Sequence, residues 1–237
     1  MLPDQSFTRN AILSSLLPAD WTLLQPHLQR IELSRGFEFF AADTPVEHVY
    51  FLEGGVASIV CECGGEEVEV GLVGREGFTA SFMLMGTDRS PDKSFVQIDD
   101  STALRIGADR LAEMVAESAS LRARLLLFNH VLSVQCARTA AANASAEIPQ
   151  RLARWLLMCH DRVGGDVLNL THEFMSMMLA VRRAGVTVTL HLLEGVGAIS
   201  ARRGEVTIRN RGKLEDMAGE IYGVPEAEYR RLLGPLA

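Results

Sequence analysis

Residues 170–199 read LTHEFMSMMLAVRRAGVTVTLHLLEGVGAI, which predicts two short helices joined by a tight turn. Thr171 is a good N-cap for the first helix, because its hydroxyl can accept a hydrogen bond from a free N–H of the first turn. The inward stripe of the second helix consists of Val186, Leu190, Leu193 and, less regularly, Leu192. Arg182 and Arg183 lead that helix on its other side. This arrangement is typical of a helix-turn-helix that reads the major groove of DNA.

The segment after the second helix supports a DNA-binding function. Residues 198–209 predict two short strands around Arg203-Gly204, which together form a β-hairpin wing. The window from Arg182 to Arg211 holds six arginines against two glutamates, and phosphate contact needs such an excess of positive charge. A helical hairpin with a solvated charged face is the alternative interpretation of the helix pair alone.

The charge of the chain is divided unevenly. The 237 residues carry a net charge of −7, which taken as a whole argues against DNA binding. Residues 1–145 carry −8, however, whereas residues 146–237 carry +1, so the acidity belongs to the N-terminal part. No apolar run is long enough to cross a membrane, and the N-terminus has no basic region followed by an apolar stretch. We therefore expect a cytoplasmic protein.

Residues 31–106 have the pattern of an all-β region. Short segments rich in Val, Phe, Ile and Thr are separated by Gly and Asp. Gly64-Gly65, between two such segments, is a hairpin signal. The spacing predicts an antiparallel barrel or roll. With the helices around it, the fold class is α+β.

A long helix is predicted to follow, from about Leu121 to Glu147. Its positions separated by alternating steps of four and three residues are Leu121, Leu125, Phe128, Leu132, Gln135, Thr139 and Ala142. This is the spacing of a coiled-coil seam and predicts that the helix pairs with its own copy. The alternative is a helix packed on its own barrel. Ile148-Pro149 ends the helix, so we divide the chain into a sensor roll (1–117), a dimerisation helix (118–147) and a winged helix-turn-helix domain (148–237).

This order of parts resembles the Crp/Fnr family of bacterial transcription regulators, over nearly the whole chain. The most specific match is Met175 to Ile199, which fits the family's helix-turn-helix without a gap. The segment from Ile148 to Leu157 is similar to the family's helix after the hinge. Phe51 to Val56 resembles the strand and turn before the family's ligand pocket. The resemblance implies a homodimer that regulates transcription.

The resemblance also implies roles for residues near the DNA. Arg183 occupies the position of the family's main base-reading arginine, whose guanidinium can bind guanine in bidentate fashion. Arg182 and Thr187 would assist it. The candidates for phosphate contact are Thr171 and His172 at the start of the first helix, and Arg202 and Arg203 in the wing. Ala184 departs from the acidic residue often found at its position.

The sensor site departs further from the family. Members that bind cyclic nucleotides use a Gly-Glu pair for the ribose and a later Arg-Ser or Arg-Thr pair for the phosphate. Here Ala80-Ser81 stands in place of the first pair, and the second falls near Lys93-Ser94. Candidate effector-pocket residues are Thr79, Ala80, Ser81, Lys93 and Ser94. Without a carboxylate for the ribose a cyclic nucleotide is disfavoured, although a cyclic-nucleotide-responsive regulator remains the alternative.

The sequence leaves the identity of any cofactor unknown. An iron–sulfur cluster is not expected, because the oxygen-sensing branch of the family needs several cysteines near the N-terminus and the first one here is Cys61. Cys61 and Cys63 are interpreted as small buried hydrophobic residues rather than a redox pair. Haem remains an alternative, with His27, His48, His130 and Met83 or Met85 as candidate ligands, although none of them shows ligand spacing. The stretch from Phe82 to Met85 is expected to be core that lines an apolar pocket.

The expected partners are double-stranded DNA, a second copy of the chain, RNA polymerase and an unknown small effector, with no membrane. Two other classes remain as alternatives. A cupin-like enzyme needs several histidines and a carboxylate inside the barrel, but His48 is the only histidine between Ile31 and Ile106. We therefore expect no enzyme and no metal site. An adaptor that does not bind DNA would lack the basic side chains that Arg182 and Arg183 provide.

Overall fold

The computed structural model describes residues 3–98 and 101–235. The chain begins with two short helices, α1 (Ala11–Ser14) and α2 (Pro18–Leu24). Asn10 caps α1 by accepting a hydrogen bond from the amide of Leu13. Its own side-chain amide donates to the carbonyls of Leu52 at 2.8 Å and of Gly77 at 2.7 Å. This one buried side chain therefore fastens the N-terminal helices to the region that follows.

Seven strands then form two antiparallel sheets. They are β1 (Gln29–Leu33), β2 (Glu38–Phe40), β3 (His48–Leu52), β4 (Val56–Cys63), β5 (Glu66–Val73), β6 (Lys93–Ile98) and β7 (Ser101–Gly107). The strand orders are β1-β7-β3 and β2-β6-β4-β5. The antiparallel roll predicted for residues 31–106 is confirmed, and its core consists of apolar side chains from both sheets.

The hairpin between β4 and β5 turns at Gly64-Gly65, as the sequence predicted. Cys63 pairs with Glu66, so the turn has two residues. Both glycines have positive φ angles, 64° and 83°. That backbone is the one a two-residue hairpin turn requires, and an L side chain adopts it only with strain.

Helix α3 (Ala108–Glu117) leads from the roll into the long helix α4 (Ala119–Ser145). Ser118 caps α4 by accepting a hydrogen bond from the amide of Leu121 at 3.1 Å. The coiled-coil assignment of this helix needs correction. Six of its seven predicted seam residues are buried within their own chain, namely Leu121, Leu125, Phe128, Leu132, Gln135 and Ala142.

The seam of α4 faces the roll. Phe128 stacks against Phe78 with ring centroids 5.0 Å apart. Gln135 accepts a hydrogen bond from the amide of Leu72 and donates to its carbonyl, at 2.8 and 3.1 Å. The seventh seam residue, Thr139, is half-buried and accepts a hydrogen bond from Arg154 at 3.1 Å. A helix packed on a sheet buries the same stripe that a coiled coil buries, so the sequence pattern did not distinguish the two.

The break at Ile148-Pro149 is confirmed. Helix α4 ends at Ser145 and α5 (Ile148–His160) begins at Ile148. At the start of α5 the side-chain oxygen of Gln150 accepts a hydrogen bond from the backbone N–H of Glu147 at 3.0 Å, which is one half of a capping box. Helix α5 is therefore a separate helix with its own N-terminal cap, and not a continuation of α4.

The C-terminal part contains the expected helix-turn-helix and wing. Its elements are β8 (Val167–Leu168), α6 (His172–Leu179), α7 (Arg183–Gly195), β9 (Ile199–Arg202), β10 (Glu205–Ile208), α8 (Arg211–Ala218) and α9 (Val224–Leu233). The three strands form a sheet of order β8-β10-β9. This part has a second apolar core, to which the roll contributes Val56, Val60, Leu72 and Ile98.

Helix α9 was predicted to be part of the DNA-binding domain, but it packs against the N-terminal part instead. It packs along α4 and places Tyr229 and Leu233 in the core of the roll. The hydroxyl of Tyr229 donates to the carbonyl of Glu76 at 2.9 Å, and Arg124 of α4 donates to the carbonyl of Leu233 at 2.7 Å. The end of the chain thus returns to the N-terminal part, a long-range contact that no local pattern announces.

Candidate nucleic-acid interface and sensor cavity

The helix-turn-helix is held by its caps and its turn. The hydroxyl of Thr171 accepts a hydrogen bond from the amide of Phe174 at 3.2 Å, which confirms the predicted N-cap. Ala180 ends α6 in the left-handed region, with φ and ψ both 48°. Arg182 is the N-cap residue of α7 and Arg183 is its first helical residue. The two basic side chains therefore stand at the start of the second helix.

Helix α7 is fixed by its inward face. Val186, Leu190 and Leu193 are buried, as predicted. Leu192 is 43% exposed, however, and does not belong to the stripe. At the far end of α7, Glu194 accepts a hydrogen bond from the amide of Ala201 at 2.7 Å. That contact ties the end of α7 to strand β9 of the wing.

A groove of about 850 Å³ lies between α6, α7 and the wing. It brings together six of the seven residues predicted to contact DNA, namely Thr171, His172, Arg183, Thr187, Arg202 and Arg203. The seventh, Arg182, lines a different surface groove beside Glu66 and Glu67 of the β4–β5 hairpin. The groove also contains His191, which the sequence analysis missed. Since His191 lies eight residues after Arg183 and four after Thr187, helical spacing could have found it.

The polar groups in this groove already contact one another. Arg183 lies 3.5 Å from Glu173, and the two side chains are 65% and 74% exposed. An ion pair so exposed contributes little and can exchange for a ligand. His172 Nδ1 lies 3.1 Å from the hydroxyl of Thr187, and that hydroxyl also donates to the carbonyl of Arg183 at 3.2 Å. The start of α6 is thereby linked to the first turn of α7.

The wing turns at Arg203-Gly204, the position the sequence predicted. Arg202 pairs with Glu205, which leaves a two-residue turn, and Gly204 has a φ of 77°. Arg202 and Arg203 are both exposed. The groove is thus bordered by guanidinium groups from both the helix and the wing.

The roll and helix α4 enclose a second cavity of about 370 Å³. Four of the five predicted effector-pocket residues line it, namely Thr79, Ala80, Ser81 and Ser94. The prediction for Lys93 is wrong, because Lys93 forms an ion pair with Glu67 and does not line the cavity. Neighbouring residues on a strand point to opposite faces, so Ser94 faces the cavity and Lys93 faces away.

The loop that lines this cavity is tied to its surroundings. The hydroxyl of Thr79 accepts a hydrogen bond from the amide of Tyr50 at 3.1 Å. Ala80 adopts the left-handed region, with a φ of 55°. Ser81 donates to the side-chain oxygen of Asn129 on α4 at 2.8 Å. A movement of this loop would therefore act directly on α4 through the hydrogen bond between Ser81 and Asn129.

Two further expectations about the roll need correction. Phe82 lines the cavity, as expected, but Met85 at the end of the same stretch is exposed. Cys63 is exposed and Cys61 half-buried, so the pair is not part of the core. Both cysteines lie next to the hairpin turn, where residues 62–66 are all exposed. Among the residues that the structure describes, no three His, Cys, Asp or Glu side chains could hold a metal ion.

The roll and the C-terminal part share a buried polar contact. The indole of Trp155 on α5 donates to Oε1 of Glu69 on β5 at 2.7 Å. Burial raises the pKa of Glu69 to about 7, against the opposing effect of hydrogen bonds from Ser58 and Trp155 and of the charges of Arg154 and Arg162. Met178 of α6 lies 3.8 Å from the Ser58 hydroxyl through its sulfur. The helix-turn-helix is therefore docked on the roll around a titratable carboxylate.

A buried ion pair forms a second connection. Arg162 donates from Nε to Glu76 at 2.7 Å, and both side chains are buried. Glu76 also accepts from the amide of Gly74, and Arg162 donates to the carbonyl of Met158. Burial acts against the charge of Arg162, but Glu76, Glu226 and Asp161 outweigh it and raise its pKa. The pair is well supported on both sides, as a buried pair must be.

Comparison with known proteins agrees with this geometry. Residues 150–217 match the family described as the Crp-like helix-turn-helix domain. Comparison with curated proteins gives no significant match. Within the part of the chain that the structure describes, no helix has the length and apolar character needed to span a membrane.

Solved structures match over most of the chain. A transcriptional regulator of the crp/fnr family from Eubacterium rectale is 16% identical and covers 87% of this chain and 97% of its own, with a TM-score of 0.67. A CRP-family transcriptional regulator from Thermus thermophilus is 19% identical and covers 81% of this chain and 97% of its own, with a TM-score of 0.65. The c-di-GMP responsive global regulator CLP of Xanthomonas campestris is 18% identical and covers 80% of this chain and 98% of its own, with a TM-score of 0.62. The expected fold, roll followed by winged helix-turn-helix, is thus confirmed.

Proposed function

We propose that this chain, which carries a Crp-like helix-turn-helix domain at residues 150–217 on the fold of Crp/Fnr regulators, is a sequence-specific transcription regulator that binds DNA as a homodimer. The observation that carries the proposal is the groove between α6, α7 and the wing. Guanidinium groups of Arg183, Arg202 and Arg203 border it, and all three are exposed. That distribution suits a helix in the major groove and a wing on the flanking backbone.

The residues of the groove divide into two roles. Arg183, at the first position of α7, reads a guanine edge by two parallel hydrogen bonds. It leaves Glu173 to do so, at small cost because both side chains are exposed. Thr187 and Arg182 assist on the same helix. The phosphate contacts come from Thr171 and His172 on one side and from Arg202 and Arg203 on the other.

Dimerisation would use the outer face of α4, since the inner face is occupied by the roll. Leu126 is 40% exposed there. Most of the other exposed positions of this face are small, namely Ala123, Ser133, Ala137, Ala140, Ala141 and Ala144. The large ones include Arg122 and His130, and His130 pairs with Glu228 at 3.0 Å. Small side chains allow two helix backbones to approach closely, and the positions recur with seam spacing. We propose this face in place of the buried seam.

The dimer is tested by sedimentation equilibrium of the full chain. Leu126→Glu is expected to convert a dimer into a monomer, because it places two carboxylates in the contact. Ala112→Glu, at an exposed position of α3, is the matched control and should leave the mass unchanged. A dimer that survives Leu126→Glu and Ala137→Glu would exclude this face.

DNA binding itself is tested by the salt dependence of duplex affinity. A regulator that displaces counterions from phosphates loses affinity linearly in log[salt], whereas an adaptor would show no binding and no slope. Arg202→Ala is expected to reduce the slope by about one unit. Recruitment of RNA polymerase would follow from DNA binding, and is read out as a change in transcription from a promoter that carries the bound site.

A further inference from the structure

The cavity between the roll and α4 has an unusual distribution of charge. Its walls are largely apolar, and the apolar side chains include Phe40, Ile59, Val70, Val73, Phe78, Phe82 and Leu132. Of the described residues that line it, one is charged, and that residue is Asp92. A site for a phosphate needs arginines, lysines or a helix N-terminus directed at the ligand. This cavity instead offers a carboxylate.

The basic residues nearest in sequence do not compensate for Asp92. Lys93, the next residue along the chain, pairs with Glu67 on the other face of the sheet. Arg89 pairs with Asp88 at 3.0 Å on the surface. Neither lines the cavity. Within residues 3–98 and 101–235, the carboxylate of Asp92 has no hydrogen-bond or ion-pair partner, and burial raises its pKa.

A second polar group in the cavity also lacks a partner. Ser94 is 1% exposed and lines the cavity, and its hydroxyl oxygen has no hydrogen-bond partner among the described residues. A buried hydroxyl without a partner carries a desolvation cost. A ligand that supplies a donor or an acceptor at this point would recover that cost. Ser94 and Asp92 lie two residues apart on the same stretch of chain, so one ligand can reach both.

We propose that this cavity binds a small hydrophobic cation, such as an aryl-alkyl amine, with its ammonium group at Asp92 and its apolar body against the phenylalanine side chains. The inference deepens the proposed function and rests on it, since it gives the chemical class of the effector. A cation supplies the positive partner that the carboxylate of Asp92 lacks, and an apolar body fits the apolar walls of the cavity. A cyclic nucleotide would place its phosphate beside a carboxylate.

The position of the cavity gives the ligand a route to the rest of the molecule. Asn129, Leu132, Ser133 and Cys136 of α4 form one of its walls. Burial, with a smaller contribution from the charges of Asp92 and Glu69, raises the pKa of Cys136 to about 11. The thiol is therefore neutral and serves as wall rather than as nucleophile. A bound cation touches α4 directly and can bias its position.

Three probes of matched size test the charge preference on the full chain at pH 7.4: 2-phenylethylammonium, 2-phenylethanol and phenylacetate. Isothermal titration calorimetry is expected to give the tightest binding for the cation, at least about tenfold tighter than for the anion. Cyclic AMP is titrated in parallel. If phenylacetate or cyclic AMP binds as tightly as the cation, or if the cation does not bind, the proposal is wrong.

Two variants assign the effect to Asp92. Asp92→Asn should weaken the cation about tenfold while leaving the affinity for 2-phenylethanol unchanged. Asp88→Asn, which removes an exposed carboxylate close by, is the matched control and should change neither affinity. Equal losses for the cation and the alcohol in Asp92→Asn would indicate a structural effect and contradict the assignment. Because binding is measured without DNA, failure of this test is distinct from failure of the proposed function.

Discussion

The indole Nε1 of Trp155 donates a 2.7 Å hydrogen bond to Oε1 of Glu69, joining helix α5 to strand β5 of the roll. The other oxygen of Glu69 lies 2.6 Å from the hydroxyl of Ser58, which lies 2.6 Å from Oε1 of Gln97. One hydroxyl proton cannot serve both oxygens. With a proton on Glu69, the carboxyl donates to Ser58 and Ser58 donates to Gln97, so both oxygen–oxygen contacts are satisfied, while Nε2 of Gln97 has no partner among the described residues.

This contact makes stability depend on pH. The pKa of Glu69 rises from 4.5 to about 7 on folding, chiefly through burial, so the folded chain holds a proton that the unfolded chain releases. The stability gained from this retained proton is complete below about pH 4.5 and is lost as the pH rises through about 7. Glu69→Gln keeps the neutral form at every pH. We therefore expect the variant to be more stable than the wild type at pH 8, by an amount on the order of 3 kcal/mol.

Urea unfolding of both proteins at pH 5, 6, 7 and 8 measures this difference. Other titrating groups cancel in the comparison, since they are common to both chains. The difference in unfolding free energy should grow with pH up to about 7 and then level. Parallel pH profiles would show that Glu69 does not carry the proton.

The turn of the helix-turn-helix stores backbone strain at Ala180, whose φ is 48°. This region costs an L residue roughly 1–2 kcal/mol, whereas glycine adopts it freely and loses roughly 0.5–1 kcal/mol in chain entropy. We expect Ala180→Gly to stabilise the protein by up to about 1 kcal/mol in thermal or urea unfolding. Ala112→Gly, inside α3, is the control and should destabilise by about that amount. Destabilisation by both would indicate that the turn is not left-handed in solution.

Gly77 sets how closely α4 can approach the roll. A Cβ at this position would lie 1.9 Å from Cζ of Phe128, so Gly77→Ala forces the helix or the ring to move. We expect a loss of at least about 1–3 kcal/mol of unfolding free energy. Gly164→Ala, where an added Cβ would have no atom within 4 Å, should be nearly neutral. A neutral Gly77→Ala would mean that Phe128 does not pack there.

Arg183 and Arg202 are expected to fail in different ways when replaced by alanine. Arg183→Ala should cost about 1–3 kcal/mol on the preferred site and relax one base position. Arg202→Ala should weaken binding to all duplexes alike. Competition binding to a panel of single-base site variants separates the two. Full affinity and unchanged base preference in Arg183→Ala would remove Arg183 from the reading role.

Local patterns announced much of this structure. The period-3.6 stripe of Val186, Leu190 and Leu193 located α7, and Gly64-Gly65 located the hairpin, because each pattern fixes a conformation within a few residues. Six of the seven candidate DNA contacts came together in one groove for the same reason. The sequence stretch around the helix-turn-helix contains most of the information that its geometry needs.

What the sequence did not predict depends on contacts between distant residues. Trp155 and Glu69 are separated by 86 positions, and the sequence around either residue does not indicate that the two are in contact. The seam of α4 was assigned to a partner helix, although the roll covers Leu125 and Gln135. Lys93 was placed in the cavity from family spacing, but strand alternation directs it to the opposite face. Each error came from a periodic signal that does not specify what it packs against.

Selection of bound sequences from random duplex DNA by the purified full chain, at near-physiological salt, tests the central claim most directly. It is run without ligand, with 2-phenylethylammonium and with a cell metabolite extract. We predict enrichment of a two-fold symmetric site whose half-sites lie about one helical turn apart, in at least one condition. Equal recovery of all sequences by a folded protein, in all three conditions, would contradict the claim that this chain reads DNA.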